Sequence, residues 1–198
     1  PGGEENHIQV DLSNPNNTLH AIEEIKGRLN GKLHALVNNA GISPKNEKGN
    51  RLDSINTDLS IWGQVFHVNF FASVILARGL QKALVKAKGT IVNVTSIAGS
   101  RVHPFAGAAY ATSKAALGAL TREMANDFGP LGVRVNAIAP GEVKTAILSK
   151  GTEKIVSDIP MKRLGMPEEV ADTIFYLCSE HASYVSGAEI EINGGQHV

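Results

Sequence analysis

The chain has 198 residues, is 42% hydrophobic, and balances 19 lysine plus arginine against 19 aspartate plus glutamate. That length and apolar content suffice for one sizeable core, and the even charge leaves no basic surface to draw polyanions, so nucleic acid is not an expected partner. Apolar runs such as residues 70–77 fall short of the roughly 20 residues that cross a bilayer, so no membrane partner is expected.

From the amino terminus, residues 7–12 (HIQVDL) read as a short strand, and residues 18–29 place Leu19, Ile22, Ile25 and Leu29 at helical spacing. Residues 33–37 (LHALV) form a second apolar strand, followed by Asn38-Asn39-Ala40-Gly41 and a polar loop to about Asp53. A long helix is predicted over residues 60–86 with Ser60 as its N-cap. The β-branched run 90–94 (TIVNV) predicts a strand ending at Thr95-Ser96, and residues 108–128 are helical by period and alanine content. Residues 132–139 (GVRVNAIA) give the next strand, and an irregular segment runs from Pro140-Gly141 to Gly165. A helix then opens with Pro167 in its first turn and runs to about Ser179, before a last strand at 189–192.

Strands alternating with helices across short loops predict an α/β fold, a doubly wound parallel sheet forming a single domain over residues 1–198. The lone Cys178, among Ile174, Phe175 and Leu177, reads as a buried, inert thiol suited to a reducing, cytoplasmic setting. The seven histidines show no pair at metal-binding spacing, so no metal is expected.

Ligands in such folds lie outside the carboxyl ends of the strands, which directs attention to the residues just past each one. Ala40 and Gly41 allow close backbone approach, and the neighbouring asparagines can hold strand ends in register. Ser96 is followed fourteen positions later by Tyr110, with Lys114 one helical turn beyond it. A lysine about 4 Å from a phenol at an effective dielectric near 20 contributes on the order of 4 kcal/mol, nearly enough to lower a tyrosine pKa by roughly 3 units, while a bound cationic ring would add to this and burial of the phenolate would oppose it. Backbone N–H groups near Val143 and the Thr145 hydroxyl can bind a carboxamide or phosphate. Taken singly, the loop patterns are also those of ordinary turns, and a tyrosine four residues before a lysine is more often a packed tyrosine beside a solvated lysine. Their occurrence in order, each after its own strand, is what singles them out.

On these motifs the chain resembles the short-chain dehydrogenase/reductase (SDR) family over nearly its whole length. The resemblance implies a Rossmann-like sheet, NAD or NADP as cofactor, and hydride transfer to or from a carbonyl or secondary alcohol. It further implies catalytic roles for Asn69, Ser96, Tyr110 and Lys114. Ser96 would polarise the carbonyl, Tyr110 would exchange the proton, Lys114 would bind the nicotinamide ribose and depress the tyrosine pKa, and Asn69 would hold a relay water. Asp11, Asn39, Ala40, Gly41, Tyr110, Lys114, Pro140, Gly141, Val143 and Thr145 would contact the cofactor. Thr95 is assigned instead to supporting the strand end. The family also implies a homodimer or homotetramer built on the two long helices, whose Phe70, Phe71, Leu120 and Met124 give apolar residues to more than one face.

The Ser96 to Tyr110 spacing is one residue longer than the family's commonest, which predicts a lengthened loop through His103, Pro104 and Phe105. This loop and residues 142–165 are expected to shape the pocket for a small-molecule substrate such as an oxoacyl thioester, a sugar or polyol, or another secondary alcohol. The family's glycine-rich dinucleotide fingerprint is not found, nor are the strands around it, so the sequence reads as lacking the first two strands and first helix. Such a chain is expected to hold a cofactor weakly, and NAD cannot be told from NADP. Alternative readings are an isomerase or dehydratase built on the same groups, or a dinucleotide-binding regulator without catalysis.

Overall fold

The apolar runs of the sequence meet as four parallel strands in a computed structural model that describes residues 6–146, 148 and 151–198. The strands are β1 (Ala35–Asn38), β2 (Thr90–Val94), β3 (Arg134–Pro140) and β4 (Glu189–Ile192), ordered β1-β2-β3-β4 across one sheet. β2 is buried along its whole length, which is why its sequence reads as one β-branched run rather than an alternation. Its neighbours point to opposite faces: Ile91 joins a core with Ile22, Leu80, Leu84 and Phe128, while Val92 and Val94 join a second core with Ile138 and Leu177.

Helices cover both faces. α1 (Pro15–Arg28) begins earlier than its apolar spacing suggests, because Asn14 caps it by accepting from Asn16 N at 2.9 Å and Pro15 presets the first turn. The predicted long helix is three segments in sequence: α2 (Leu59–Phe66), a π-helical turn (His67–Phe71) and α3 (Ala72–Ala87). Its N-cap is Asp58, not Ser60; the carboxylate accepts from Ser60 N at 2.7 Å. The 29 residues of Leu59–Ala87 are long and apolar enough by composition to cross a membrane. Here, however, Ala77, Leu80 and Leu84 enter the core and Arg78, Lys82 and Lys86 are exposed. α4 (Ala108–Phe128) and α5 (Pro167–Cys178) fall close to their predicted bounds. The intervening irregular segment contains a short 3-10 helix (Thr152–Asp158), and residues 147, 149 and 150 of that segment lie outside the described residues.

Two further expectations are corrected. Residues 7–12 form no strand, because no other strand lies beside them among the described residues to take up their backbone hydrogen bonds, although Ile8 and Val10 keep their alternate half-burial. Among the described residues β1 is accordingly an edge strand bonded to β2 alone, with Val37 39% exposed. Met124, read as part of an outward apolar face, is buried in the core, and Leu120 packs against it; Phe71 at 44% exposure remains outward. Burial pushes the half-buried Cys178 thiol up, consistent with an inert side chain.

α1 rests on α3 at Gly79, where a Cβ would lie 2.5 Å from Ile22 Cδ1. Gly79→Val should therefore destabilise the fold by about 1–3 kcal/mol through overpacking. Pairing it with Ile22→Ala should cost less than the two single changes summed. Urea denaturation of the four proteins checks this, and strict additivity would show that the two residues do not share the space.

Candidate active site

The carboxyl ends of β1, β2 and β3 open into a cleft of about 530 Å³. Asn39, Gly41, Ser96, Tyr110, Lys114, Pro140, Gly141, Val143 and Thr145 all line it. Asn69 is 1% exposed behind the cleft, and Ala40 and Asp11 are exposed and outside its lining. Asp11 instead accepts from Ser13 N at 2.9 Å and from Ser13 Oγ at 2.7 Å, bonds that hold its carboxyl below the usual range.

The centre of the site is Lys114, on α4 and 3% exposed, whose Nζ donates to Val94 O at the end of β2 at 2.7 Å. Burial lowers its pKa to about 8. Gly41 closes over it: a Cβ there would lie 3.2 Å from Lys114 Nζ and 3.5 Å from Asn69 Oδ1. Asn69 comes from the π turn and is fully engaged. Its Oδ1 accepts from Ile42 N at 2.8 Å, and its Nδ2 donates to Ile42 O at 3.1 Å and to Ser113 Oγ at 3.0 Å. Ser113 in turn donates to Tyr110 O at 2.7 Å, so the loop after β1, the π turn and the tyrosine-bearing turn of α4 are held together.

Ser96 caps the 3-10 turn Ile97–Gly99, accepting from Ala98 N at 3.2 Å, and its hydroxyl lies on the same cleft as the Tyr110 phenol, whose pKa it acts to lower. Thr95 also borders the cleft, but its N and Oγ1 both donate to Ile138 O at 2.8 Å, which is the strand-supporting role expected of it. At the other strand end, Asn38 Nδ2 donates to Asn93 Oδ1 at 2.8 Å, so the asparagine register contact runs between side chains.

The electrostatics differ from the sequence expectation in one respect. Burial raises the Tyr110 pKa and outweighs the Ser96 hydroxyl that lowers it, with the charge of Glu142 adding to the rise. Lys114 is turned toward Val94 O, its Nζ 5.8 Å from the centre of the Tyr110 ring, so proximity alone does not make the phenol acidic. Sequence reasoning also missed a polar cluster in the cleft: His103 Nε2 lies 2.7 Å from Glu142 Oε1, beside Lys45. The unusual spacing before Tyr110 located His103, but a partner 39 positions away in sequence (142 − 103) gave no local signal.

The buried lysine makes stability depend on pH with a definite sign. Its folded pKa of about 8 lies below the ordinary 10.5, so between those values the unfolded chain binds more protons and stability rises with pH. Going from about pH 7 to about pH 9.5 should stabilise the wild type by about 2 kcal/mol more than Lys114→Met. Denaturation at the two pH values measures the difference, and equal pH responses would refute a buried, depressed lysine.

Comparison with known proteins bears on the fold and the class of enzyme. A family model described as enoyl-(acyl carrier protein) reductase matches residues 1–197. The chain is 59% identical to Protein FixR of Bradyrhizobium diazoefficiens, covering 99% of this chain and 71% of that one. It is 35% identical to the 3-oxoacyl-(acyl-carrier-protein) reductase FabG of Aquifex aeolicus, over 95% and 75% of the two chains. A crystal structure of an oxidoreductase of the short chain dehydrogenase/reductase family from Brucella ovis, in complex with a partially ordered NAD, superposes with a TM-score of 0.85 at 61% identity, covering 98% and 81%. With its parallel sheet, its tyrosine and lysine on one cleft and these relatives, the chain belongs to the short-chain dehydrogenase/reductase family of oxidoreductase enzymes.

Proposed function

We propose that the chain catalyses hydride transfer between NAD or NADP and a carbonyl or secondary alcohol, with Tyr110 as acid/base. The observation that carries this reading is the convergence of Ser96, Tyr110 and a buried Lys114 on one cleft, with Asn69 locked behind them. The residues present fit a nicotinamide cofactor. The Lys114 ammonium gives one N–H to Val94 O and has others to offer ribose hydroxyls, and Gly41 leaves the backbone bare where a side chain would crowd that ammonium. Gly41, Lys114, Pro140, Gly141, Val143 and Thr145 would hold it, and when bound it would supply or accept the hydride.

The chain's own groups handle the proton and the carbonyl. Ser96 donates a hydrogen bond to the substrate oxygen, and Tyr110, kept protonated by its burial, passes its proton to that oxygen as charge develops. Lys114 places a positive charge beside the phenol and favours the phenolate that remains. The Asn69 bonds to Ile42 and Ser113 fix the helix turn that carries the tyrosine. Tyr110→Phe should lower turnover to below a few per cent while leaving the fold unchanged. Screening alcohols and ketones with both cofactors, beside circular dichroism of the variant, tests this; substantial residual turnover would remove Tyr110 from the reaction.

We also propose that the enzyme assembles as a homodimer or homotetramer through its long helices. The outward Phe71 and the exposed Ile55 and Leu59 support an apolar surface there. Light scattering at micromolar concentration should report a mass at least twice that of the chain, and a monomer would refute the assembly.

A further inference from the structure

The proton relay leaves three ionisable side chains of the cleft unused: Lys45, His103 and Glu142. His103 and Glu142 are paired at 2.7 Å with side chains only 9% and 10% exposed. Phe105 N donates to His103 Nδ1 at 3.3 Å, so that nitrogen accepts and Nε2 carries the proton donated to Glu142 Oε1. Lys45 is anchored on the same loop, donating to Phe105 O and, at 3.4 Å, to Ser43 Oγ. The charge of Glu142 reaches both Tyr110 and Lys45, raising the pKa of the first and opposing the burial that lowers the second.

A carboxylate so deeply set and so near the catalytic phenol is a poor neighbour for an alkyl or acyl chain, which would displace its remaining water and return no hydrogen bond. It is a good neighbour for a donor group. His103 occupies one of its oxygens, and acceptor capacity remains for a ligand. Resting on the oxidoreductase reading of this cleft, we propose that Glu142, positioned by His103, is a specificity-determining residue. It accepts a hydrogen bond from a hydroxyl or ammonium group carried close to the substrate's reacting carbon, and so selects small polar hydroxy or oxo compounds over alkyl ones.

Three alcohols that share the same reacting half and differ only in the terminal group test this: propylene glycol (hydroxyl), isopropanolamine (ammonium) and sec-butanol (methyl). Calorimetric titration of the full chain should show at least one donor-bearing compound binding about tenfold tighter than sec-butanol, the scale of a hydrogen bond to a charged group. Glu142→Gln keeps an oxygen for His103 but presents an NH₂ in place of the second oxygen, and should reduce that preference to about twofold or less. The better of the two donor-bearing compounds identifies hydroxyl or ammonium recognition. Equal or tighter binding of sec-butanol, no binding of either donor-bearing compound, or a preference unchanged in Glu142→Gln would overturn the proposal. A preference unmoved by His103→Leu would overturn the positioning role. Turnover of the same three compounds with NAD and NADP separates the two readings. A binding preference without turnover supports the Glu142 assignment while the oxidoreductase reading falls, and efficient turnover of sec-butanol over the others does the reverse.

Discussion

A lysine ammonium buried at the carboxyl end of the central strand is the constraint on which the rest of the site depends. An ammonium that is 3% exposed needs a fixed acceptor, and Val94 O supplies it only because β2 ends there. The same ammonium needs a roof without a side chain, which Gly41 provides, and the roof needs to be tied down, which Asn69 does through both backbone groups of Ile42. Each of these residues lies on a different element, and each is placed by its relation to the amine.

Below this layer a second polar chain runs through the sheet into α4. Asn38 bonds Asn93, and Asn93 Nδ2 donates to Thr121 Oγ1 at 2.9 Å, whose hydroxyl donates to Leu117 O at 2.9 Å. All three side chains are buried, with Asn93 and Thr121 at 1% exposure or less. The ladder joins β1, β2 and α4, the elements that carry Gly41, Ser96 and Tyr110 toward the cleft, so strand register and active-site geometry are set by one network.

Much of this was legible in the sequence, and the limits have physical causes. The strand at 90–94 and the helix at 108–128 were readable to their ends, because a fully buried strand and an alanine-rich helix are local signals. The strand expected at 7–12 was not, since alternation marks an extended segment but a ladder requires a partner. The sequence marked Ser60 as the cap of the long helix, but Asp58 is an equally good cap by residue type, and only the backbone geometry chooses between them. The four-residue spacing of Tyr110 and Lys114 placed them on one face, yet it carried no information on burial, and burial decides the direction of the tyrosine's pKa. The family model and its relatives support the fold and the class of chemistry; the pairing of His103 with Glu142 is a feature of tertiary structure alone.

The π turn at His67–Phe71 has a consequence for how the helix can serve two masters. A residue advances an α-helix by about 100°, so one extra residue within a turn resets the angular phase of everything downstream. The phase of α3 is fixed by the core, where Ala77, Leu80 and Leu84 pack against the sheet and α1. The phase at Asn69 is fixed by Ile42 and Ser113. A regular helix would have to satisfy both orientations with a single rotation. With the wide turn between them, the core-facing half can be repacked through substitutions in α3 without rotating the asparagine off its partners.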